Sequence, residues 1–416
     1  MKDRRPLCAA IFYLYAFFQG LCLIIIPAAS FIFKQPLFGA LSDRQYGLSF
    51  LPMNLSAVLV TVYFKRFLNY FGRQPLLAVG LGAHGVYAAS LIAAAAGSVN
   101  AVVFQWLILA NLALGIGFGF LISVANVAMV EMYPEKRDMA LMGLHGLLGV
   151  GASLAPAAVE FFYRSGHWRE SHWITLFFWA VLMVILLVLH PVSYREAAGF
   201  HEPAGFRKPR HARSSTLPRT AVFFLGAIFI YGILESITGN WCSIYLTQEK
   251  GFAYRTAARC LSAFWIFLTL GRIAAAITAS RMDARFLYRG SPVVITAALT
   301  ALVKVQTESA AVPIFAVIGL GCSYFFPLSI SISTQYYDAW RSELSSFGIA
   351  AIMAGVFFGT TLMGFLQDTK LVRIHQTFVL AASCGAVLTG FAFLLTRKKL
   401  PRSSSRAGLD LSTLDF

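Results

Sequence analysis

The sequence predicts an all-α integral membrane protein in which twelve transmembrane helices form two pseudo-symmetric six-helix bundles. Of its 416 residues, 58% are hydrophobic and only 12% are charged, whereas soluble globular proteins carry roughly 25% charged residues. Apolar runs recur along the whole chain, and most are long enough for the ~20 residues that a membrane-spanning helix needs. One basic, proline-containing stretch divides these runs into two equal sets.

The charge distribution separates this chain from nucleic-acid-binding proteins. The net charge is +16 and the isoelectric point is about 9.8, but the basic residues stand at the ends of apolar runs. This placement is typical of membrane proteins, whose cytoplasmic loops collect Lys and Arg. The six cysteines form no paired motif and lie mostly within apolar runs, so they predict neither a metal site nor a disulfide framework. We therefore expect no nucleic-acid partner and no cofactor.

The expected helices follow from the apolar runs in chain order. The first six runs are residues 7–33, 46–64, 75–97, 101–125, 139–162 and 172–189, and the second six are residues 220–246, 257–280, 291–305, 310–333, 345–366 and 374–395. The first run extends well beyond a signal-peptide core and lacks a convincing small-residue cleavage site, so we expect a mature helix. The ninth run is the shortest, and its limits can shift by a turn.

The loops predict the orientation in the membrane. If the N-terminus is cytoplasmic, the loops and tails on its side hold 23 Lys and Arg residues, and the opposite loops hold 10. Because basic residues accumulate in cytoplasmic loops, we expect both termini in the cytoplasm. The short tails and loops suit a bacterial inner membrane, and we expect a monomer there.

The longest polar stretch, residues 191–219, predicts a basic cytoplasmic linker. It separates an N-terminal bundle at 1–190 from a C-terminal bundle at 220–396, and a cytoplasmic tail follows at 397–416. A duplication leaves a trace at an offset of 204 residues: Gly115 and Gly117 correspond to Gly319 and Gly321, Arg137 to Arg341, and Glu131 to Gln335. Such internal repeats are typical of secondary transporters.

Motifs beside the predicted helix ends resemble those of the major facilitator superfamily. The loop after the second run keeps the family's Gly72-Arg73 core, with Asn69 at the acidic position. After the fourth run, Glu131-x-x-Pro134-x-x-Arg137 is similar to a second family motif. The resemblance implies the major facilitator fold and a cytoplasmic gate of charged residues, for which ordinary solvated loop charges are the alternative. The gate residues that we expect are Asn69, Gly72, Arg73, Glu131, Arg137, Arg272 and Arg341.

A closer resemblance is to the fucose/galactose/glucose–proton symporter-like branch of that superfamily. It rests on the segments Gln45-Tyr46-Gly47, Leu144-His145-Gly146 and Glu235-Ser236-x-x-Gly239-Asn240-Trp241. The branch implies a polar solute that moves together with protons. The acidic residue that the sugar symporters carry in their first helix is missing here, and Gln19 is the most polar side chain in the middle of that run.

Glu235 is the only acidic side chain near the centre of an apolar run. An ionised carboxylate there costs about 2.5–3.5 kcal/mol on insertion scales, so it usually faces a cavity or is protonated. Helical geometry places it with Tyr231 on a polar face of the seventh run. Contact with solute or protons and a simple interhelical hydrogen bond are the two interpretations. Further candidates for contact with solute or protons are Asn240, Trp241, Trp265, Gln19, Asn111 and His145. Packing is the alternative for Trp265 and His145, and an interfacial position is the alternative for Trp241.

These observations predict a secondary active transporter that moves a small polar or amphiphilic organic solute by alternating access, with protons as the expected coupling ion. The sequence has no P-loop, no H-E-x-x-H motif and no soluble domain for a nucleotide, so it predicts neither an enzyme nor ATP-driven transport. Two alternatives stay open. One is an efflux carrier for a drug, siderophore or metabolite, and the other is a non-transporting membrane receptor or scaffold with the same fold.

Overall fold

The computed structural model describes residues 5–189, 217–278 and 283–397, and these ranges are almost entirely helical. Twelve of their helices are long and apolar enough to cross a membrane, which confirms the predicted number. The main helices are α1 (Arg5–Ala28), α2 (Leu51–Phe71), α3 (Arg73–Ala96), α4 (Asn100–Met132), α5 (Arg137–Arg164), α6 (Trp168–Leu189), α7 (Arg219–Ile244), α8 (Tyr254–Thr278), α9 (Ala284–Lys304), α10 (Glu308–Tyr336), α11 (Arg341–Phe357) and α12 (Ile374–Leu395).

Short helical segments extend or connect several of these helices. A helix at Asp43–Ser49 leads into α2, and a capping box between Ser42 and Gln45 fixes its first turn. The remaining segments are a helix at Ser30–Phe33, 3₁₀ turns at Pro36–Phe38, Pro134–Lys136 and Asp338–Trp340, and a π-helical turn at Tyr245–Glu249 after α7. A π-helical turn at Phe358–Leu362 and a short helix at Met363–Asp368 continue α11 and are counted here as its outer end. The described ranges contain no β-strand.

The ninth helix begins earlier than residue 291, where its apolar run starts. Asp283 caps it, because its carboxylate accepts a hydrogen bond of 2.9 Å from the backbone N–H of Arg285. The hydrogen bonds and charge of the Arg285 side chain also lower the pKa of the Asp283 carboxyl. The polar start of α9 thus depends on a cap that apolar periodicity does not reveal. Most of the predicted linker at 191–219 and of the predicted tail at 397–416 lies outside the described residues.

The packing of the helices repeats with an offset of six. In the first half, α1 packs on α5, α2 and α3 pack on α4, and α3 also packs on α6. In the second half, α7 packs on α11, α8 and α9 pack on α10, and α9 also packs on α12. The two halves are therefore pseudo-symmetric six-helix bundles, as the sequence predicts.

Corresponding glycines perform the same packing role in each bundle. A Cβ atom on Gly115 would lie 2.3 Å from a backbone carbonyl oxygen of α2, and one on Gly319 would lie 2.1 Å from a backbone carbonyl oxygen of α8. Both distances are too short for any side chain, so glycine lets α4 approach α2 and α10 approach α8. The offset of 204 residues in the sequence thus corresponds to equivalent helix contacts.

Among the main helices, three pairs join the two bundles, which are α5 with α8, α2 with α11, and α1 with α7. We call the side that holds the connection from α1 to α2 the outer side, and the side that holds Arg5 the inner side. On the outer side, Asp43–Ser49 packs against Met363–Asp368. A Cβ atom on Gly364 would lie 3.0 Å from the Cα atom of Gly47. The bundles are therefore in backbone contact at their outer ends.

Candidate functional site

Glu235 lies on the polar face of α7, where the two bundles meet. Its side chain keeps partial exposure, whereas Tyr231, one helical turn earlier, is fully buried. The Tyr231 hydroxyl donates a hydrogen bond of 2.9 Å to the backbone carbonyl of Cys322 in α10. The same hydroxyl lies within electrostatic range of the Glu235 carboxylate. The polar face of α7 therefore points into the protein, with Tyr231 near the acid.

Arg272 on α8 is the cation that interacts with Glu235. Its side chain is exposed although α8 is a membrane-spanning helix. The preceding residue, Gly271, packs so closely on α10 that a Cβ atom there would lie 2.2 Å from the Ser323 hydroxyl oxygen. This contact fixes the rotation of α8 and with it the direction of Arg272. The sequence predicts a gate role for Arg272, and the structure places its charge within electrostatic range of Glu235.

His145 on α5 brings the first bundle into the same cluster. It lies within the electrostatic range of Arg272 on α8 and is partly exposed. About one turn toward the outer side of each helix, α5 and α8 touch, since a Cβ atom on Gly149 would lie 2.2 Å from the Thr269 hydroxyl oxygen. This close contact holds His145 and Arg272 near each other. The cluster therefore contains groups from both bundles.

The exposure of the central charges indicates an aqueous space between the bundles. Charged side chains in membrane helices almost always face a bundle interior or a water-filled cavity. Glu235, Arg272 and His145 lie on α7, α8 and α5, which form contacts across the bundle interface. Arg272 is exposed, and Glu235 and His145 are partly exposed. Together they can bind a proton, a carboxylate or a hydroxyl group.

Trp265 stands beside this cluster on its outer side. Its Cζ2 atom would lie 3.7 Å from a Cβ atom on Gly239, one turn beyond Glu235 on α7. The indole is partly exposed, and its Nε1 atom is buried without a hydrogen-bond partner. The edge of the ring also packs against Phe264 at a centroid distance of 5.1 Å. Trp265 thus combines a packing role with an unused N–H donor near the acid.

Asn240 and Trp241 form contacts that close the outer side. Asn240 donates a hydrogen bond of 2.9 Å to the Thr360 hydroxyl, and the Trp241 indole N–H donates one of 3.0 Å to the Gly359 carbonyl. Tyr46 of the first bundle donates a hydrogen bond of 2.7 Å to the Asn240 carbonyl. The interfacial interpretation of Trp241 is wrong, because its side chain is fully buried against Tyr46 and α11.

A second outer contact joins the ends of α1, α5 and α8. The Tyr254 hydroxyl donates a hydrogen bond of 2.8 Å to the Ala28 carbonyl. The Tyr254 ring stacks on Phe31 at 5.1 Å and meets the edge of Tyr163 at 5.6 Å. Sequence reasoning missed this cluster, because aromatic residues at helix ends are also typical of the membrane interface.

On the inner side, Arg73 and Glu131 form an ion pair. Gly72 precedes α3 with φ of +77°, a left-handed conformation that favours glycine. Both members of the pair belong to the first bundle, where they join the start of α3 to the end of α4. Asn69 is exposed near the end of α2. Of the remaining gate candidates, Arg137 and Arg341 occupy the exposed first residues of α5 and α11.

Two polar candidates lie away from these contacts. Asn111 is fully buried in α4 and donates a hydrogen bond of 3.1 Å to the Leu107 carbonyl of its own helix. Gln19 is buried in α1, and its Nε2 atom has no hydrogen-bond partner. The contacts of the described residues join neither side chain to Glu235. Asn111 thus keeps a buried Oδ1 atom without a hydrogen-bond partner, and Gln19 carries an unused donor inside the first bundle.

Comparison with known proteins identifies the family. The sequence pattern of the Major Facilitator Superfamily matches residues 7–360. The chain belongs to the Major Facilitator Superfamily. It is therefore a multi-pass membrane protein and a secondary transporter rather than an enzyme, as the sequence predicts.

Two curated proteins are similar in sequence. Bypass of stop codon protein 6 of Saccharomyces cerevisiae is 28% identical over 183 residues, which cover 39% of this chain and 36% of the yeast protein. The match thus spans about a third of that relative. An uncharacterised MFS-type transporter of Yersinia pestis is 22% identical over 268 residues, which cover 64% of this chain and 67% of the relative.

Solved structures share the fold at low sequence identity. A variant of the nucleoside transporter NupG is 14% identical with a TM-score of 0.70, and the match covers 94% of this chain and 100% of NupG. A bacterial homologue of the human lysosomal transporter Spinster, in an inward-facing and occupied conformation, is also 14% identical with a TM-score of 0.71; that match covers 96% of this chain and 98% of the homologue. These similarities support the superfamily fold. The sugar symporter-like branch stays a prediction.

Proposed function

We propose that this chain is a proton-coupled symporter that moves a small polar or amphiphilic organic solute by alternating access through a central site. The observation that carries the proposal is the cluster of Glu235, Arg272 and His145, because it joins ionisable groups of both bundles inside membrane helices. Such groups mark substrate and ion pathways in membrane proteins. The resemblance to the sugar symporter-like branch supports a hydrogen-bonding solute.

Alternating access requires contacts that can open on each side of the central site. On the outer side, Tyr46 and Asn240 form such a contact between the bundles. The Thr361 hydroxyl also donates a hydrogen bond of 3.0 Å to the Gly47 carbonyl across the same interface. Rocking one bundle against the other would break these contacts and expose the site to the outer side. The closed outer contacts support an inward-facing state for this structure.

Glu235 is the proposed coupling residue. When ionised, it attracts the permanent positive charge of Arg272 and balances that charge in a region of low dielectric constant. Binding of a proton removes this attraction and leaves Arg272 uncompensated. Solute binding and bundle movement then depend on whether the acid carries a proton. This dependence is what a symporter needs in order to couple the two flows.

The basic loops support a bacterial inner-membrane location with both termini in the cytoplasm, so the inner side defined above is the proposed cytoplasmic side. In this orientation, the Arg73–Glu131 pair belongs to the cytoplasmic rim. We also propose that the chain works as a monomer, since each bundle contributes groups to one shared site.

The proposal is tested by solute uptake into proteoliposomes that contain the purified full-length protein. A panel of sugars, polyols, amino acids, carboxylates and nucleosides is supplied with and without an imposed proton gradient. We expect one chemical group of solutes to accumulate above its external concentration only when the gradient is present. Equal solute uptake with and without the proton gradient would contradict proton coupling. Folded protein that transports no solute of the panel would favour a receptor or scaffold.

A further inference from the structure

We propose that Arg272 is an anion-binding residue and that the transported solute carries a carboxylate group. The inference rests on the proposed central site and assigns its substrate class. The first observation is the position of Arg272 along α8. Arg272 lies roughly 27 Å along the helix axis from Tyr254, the first residue of α8, at a rise of 1.5 Å per residue. Arg272 therefore lies in the inner part of the stretch Tyr254–Ala275, which is apolar enough to cross a membrane.

The guanidinium of Arg272 stays charged, because arginine does not lose its proton in proteins. Its side chain is exposed, and the direct ion pairs of the described residues join other groups. Glu235 balances its charge from a greater distance than an ion-pair contact. The planar face and N–H donors of Arg272 therefore remain accessible from the space between the bundles.

The groups that face Arg272 favour an anion. They are Glu235, Tyr231, Cys322 and His145, and of these only Glu235 is an acid. The Tyr231 hydroxyl is already used, because it donates to the Cys322 carbonyl. When Glu235 takes up a proton, the site holds a net positive charge. One solute carboxylate then restores neutrality, and its attraction to Arg272 is stronger between the bundles than in bulk water.

The planar guanidinium of Arg272 favours a carboxylate as its ligand. A guanidinium binds the two oxygens of a carboxylate through a pair of parallel hydrogen bonds. The ring of Trp265 lies against Gly239, one turn beyond Glu235, and its buried, unpaired Nε1–H group provides a further donor once it turns toward an oxygen-rich solute. Glu235 competes with the solute for Arg272, because both are carboxylates. This competition links the binding of a proton to the binding of the anion.

The test measures the thermal stability of the purified full-length protein against matched probe pairs. The pairs are gluconate and glucose, lactate and lactamide, and benzoate and benzamide, with sodium chloride added to equalise the ionic strength. We expect at least one carboxylate to raise the melting temperature in a saturable manner while its neutral partner does not. Arg272→Gln should raise the half-saturating concentration by about tenfold or more, as expected for a lost charge-assisted hydrogen bond.

Control variants separate the site from general electrostatics. Lys65→Gln removes an exposed cation at the end of α2 and should leave the half-saturating concentration unchanged. Glu235→Gln should lower that concentration, because it removes the competing carboxylate. If Arg272→Gln does not fold, Arg272→Lys keeps the charge without the planar fork; it should weaken binding and keep the preference over the neutral partner.

Three results would overturn the inference: equal binding of carboxylates and their neutral partners, unchanged carboxylate binding in Arg272→Gln, or no binding of any carboxylate in the panel. Proton-driven uptake of a neutral solute, combined with any of these results, would leave the proposed symporter function standing and reject the anion site alone. Failure of all solute uptake would reject the proposed function itself.

Discussion

Replacing Gly364 by alanine should open the outer side of the protein. Gly364 lies where the end of α11 meets the helix Asp43–Ser49, and an added Cβ atom would lie 2.5 Å from the Asp43 carbonyl oxygen. Ordinary van der Waals contact begins near 3.4 Å, so the two backbones must separate by about 0.9 Å. Overpacking of this kind typically costs about 1–3 kcal/mol. That energy lowers the population of the outer-closed state relative to the open state by roughly 5- to 150-fold.

The assay is the reaction rate of a reporter thiol with a maleimide in detergent solution. Ser30→Cys, in a background without the six native cysteines, places the thiol at a fully buried position near the outer end of α1. Gly364→Ala should increase its reaction rate several-fold. Gly390→Ala is the matched control, because its Cβ atom would meet no atom within 4 Å. Equal rates in the two alanine variants would refute the assignment of this contact to outer closure.

Three further perturbations test separate parts of the structure. Asn69→Asp places a carboxylate at the exposed inner end of α2, where it can pair with a basic residue of the second bundle, and should favour inner closure by about 0.2–1 kcal/mol, as expected for an exposed ion pair; unchanged labelling of thiols placed on the inner side of the bundle interface would count against it. Asp283→Ala removes the cap of α9 and should lower the free energy of unfolding by about 0.5–2 kcal/mol. The measurement is the fall in melting temperature relative to a substitution at a position that caps no helix. Single cysteines at the exposed positions 69 and 370 should react with an impermeant reagent from opposite sides of sealed cells, and reaction at position 69 from outside the cell would reverse the orientation.

The sequence predicts the number of helices well, because a bilayer imposes a minimum length on every apolar run. The predicted ends of a helix are wrong where they depend on side-chain hydrogen bonds, as at the start of α9, which Asp283 caps. The sequence also predicts the duplication, and Gly115 and Gly319 indeed pack in equivalent places of the two bundles.

The sequence predicts only part of the candidate site. Glu235 and Tyr231 share a helix face, so helical periodicity brings them together. Arg272 and His145 lie on other helices, and only the packing of α5 and α8 brings His145 near Arg272, whose charge reaches the acid. The tertiary contacts of Trp241 are equally invisible, because an indole at a helix end fits both a lipid interface and a buried hydrogen bond.

The most direct test of the central claim compares two transport modes of Glu235→Gln in proteoliposomes, with a substrate found in the uptake panel. Glutamine keeps the shape and hydrogen-bonding capacity of the side chain but cannot exchange a proton. We expect solute exchange at equal pH to persist, while accumulation driven by a proton gradient is lost. Glu135→Gln, at an exposed position between α4 and α5, should behave as the unmodified protein. Normal gradient-driven accumulation by Glu235→Gln would contradict the role of Glu235 as the coupling acid.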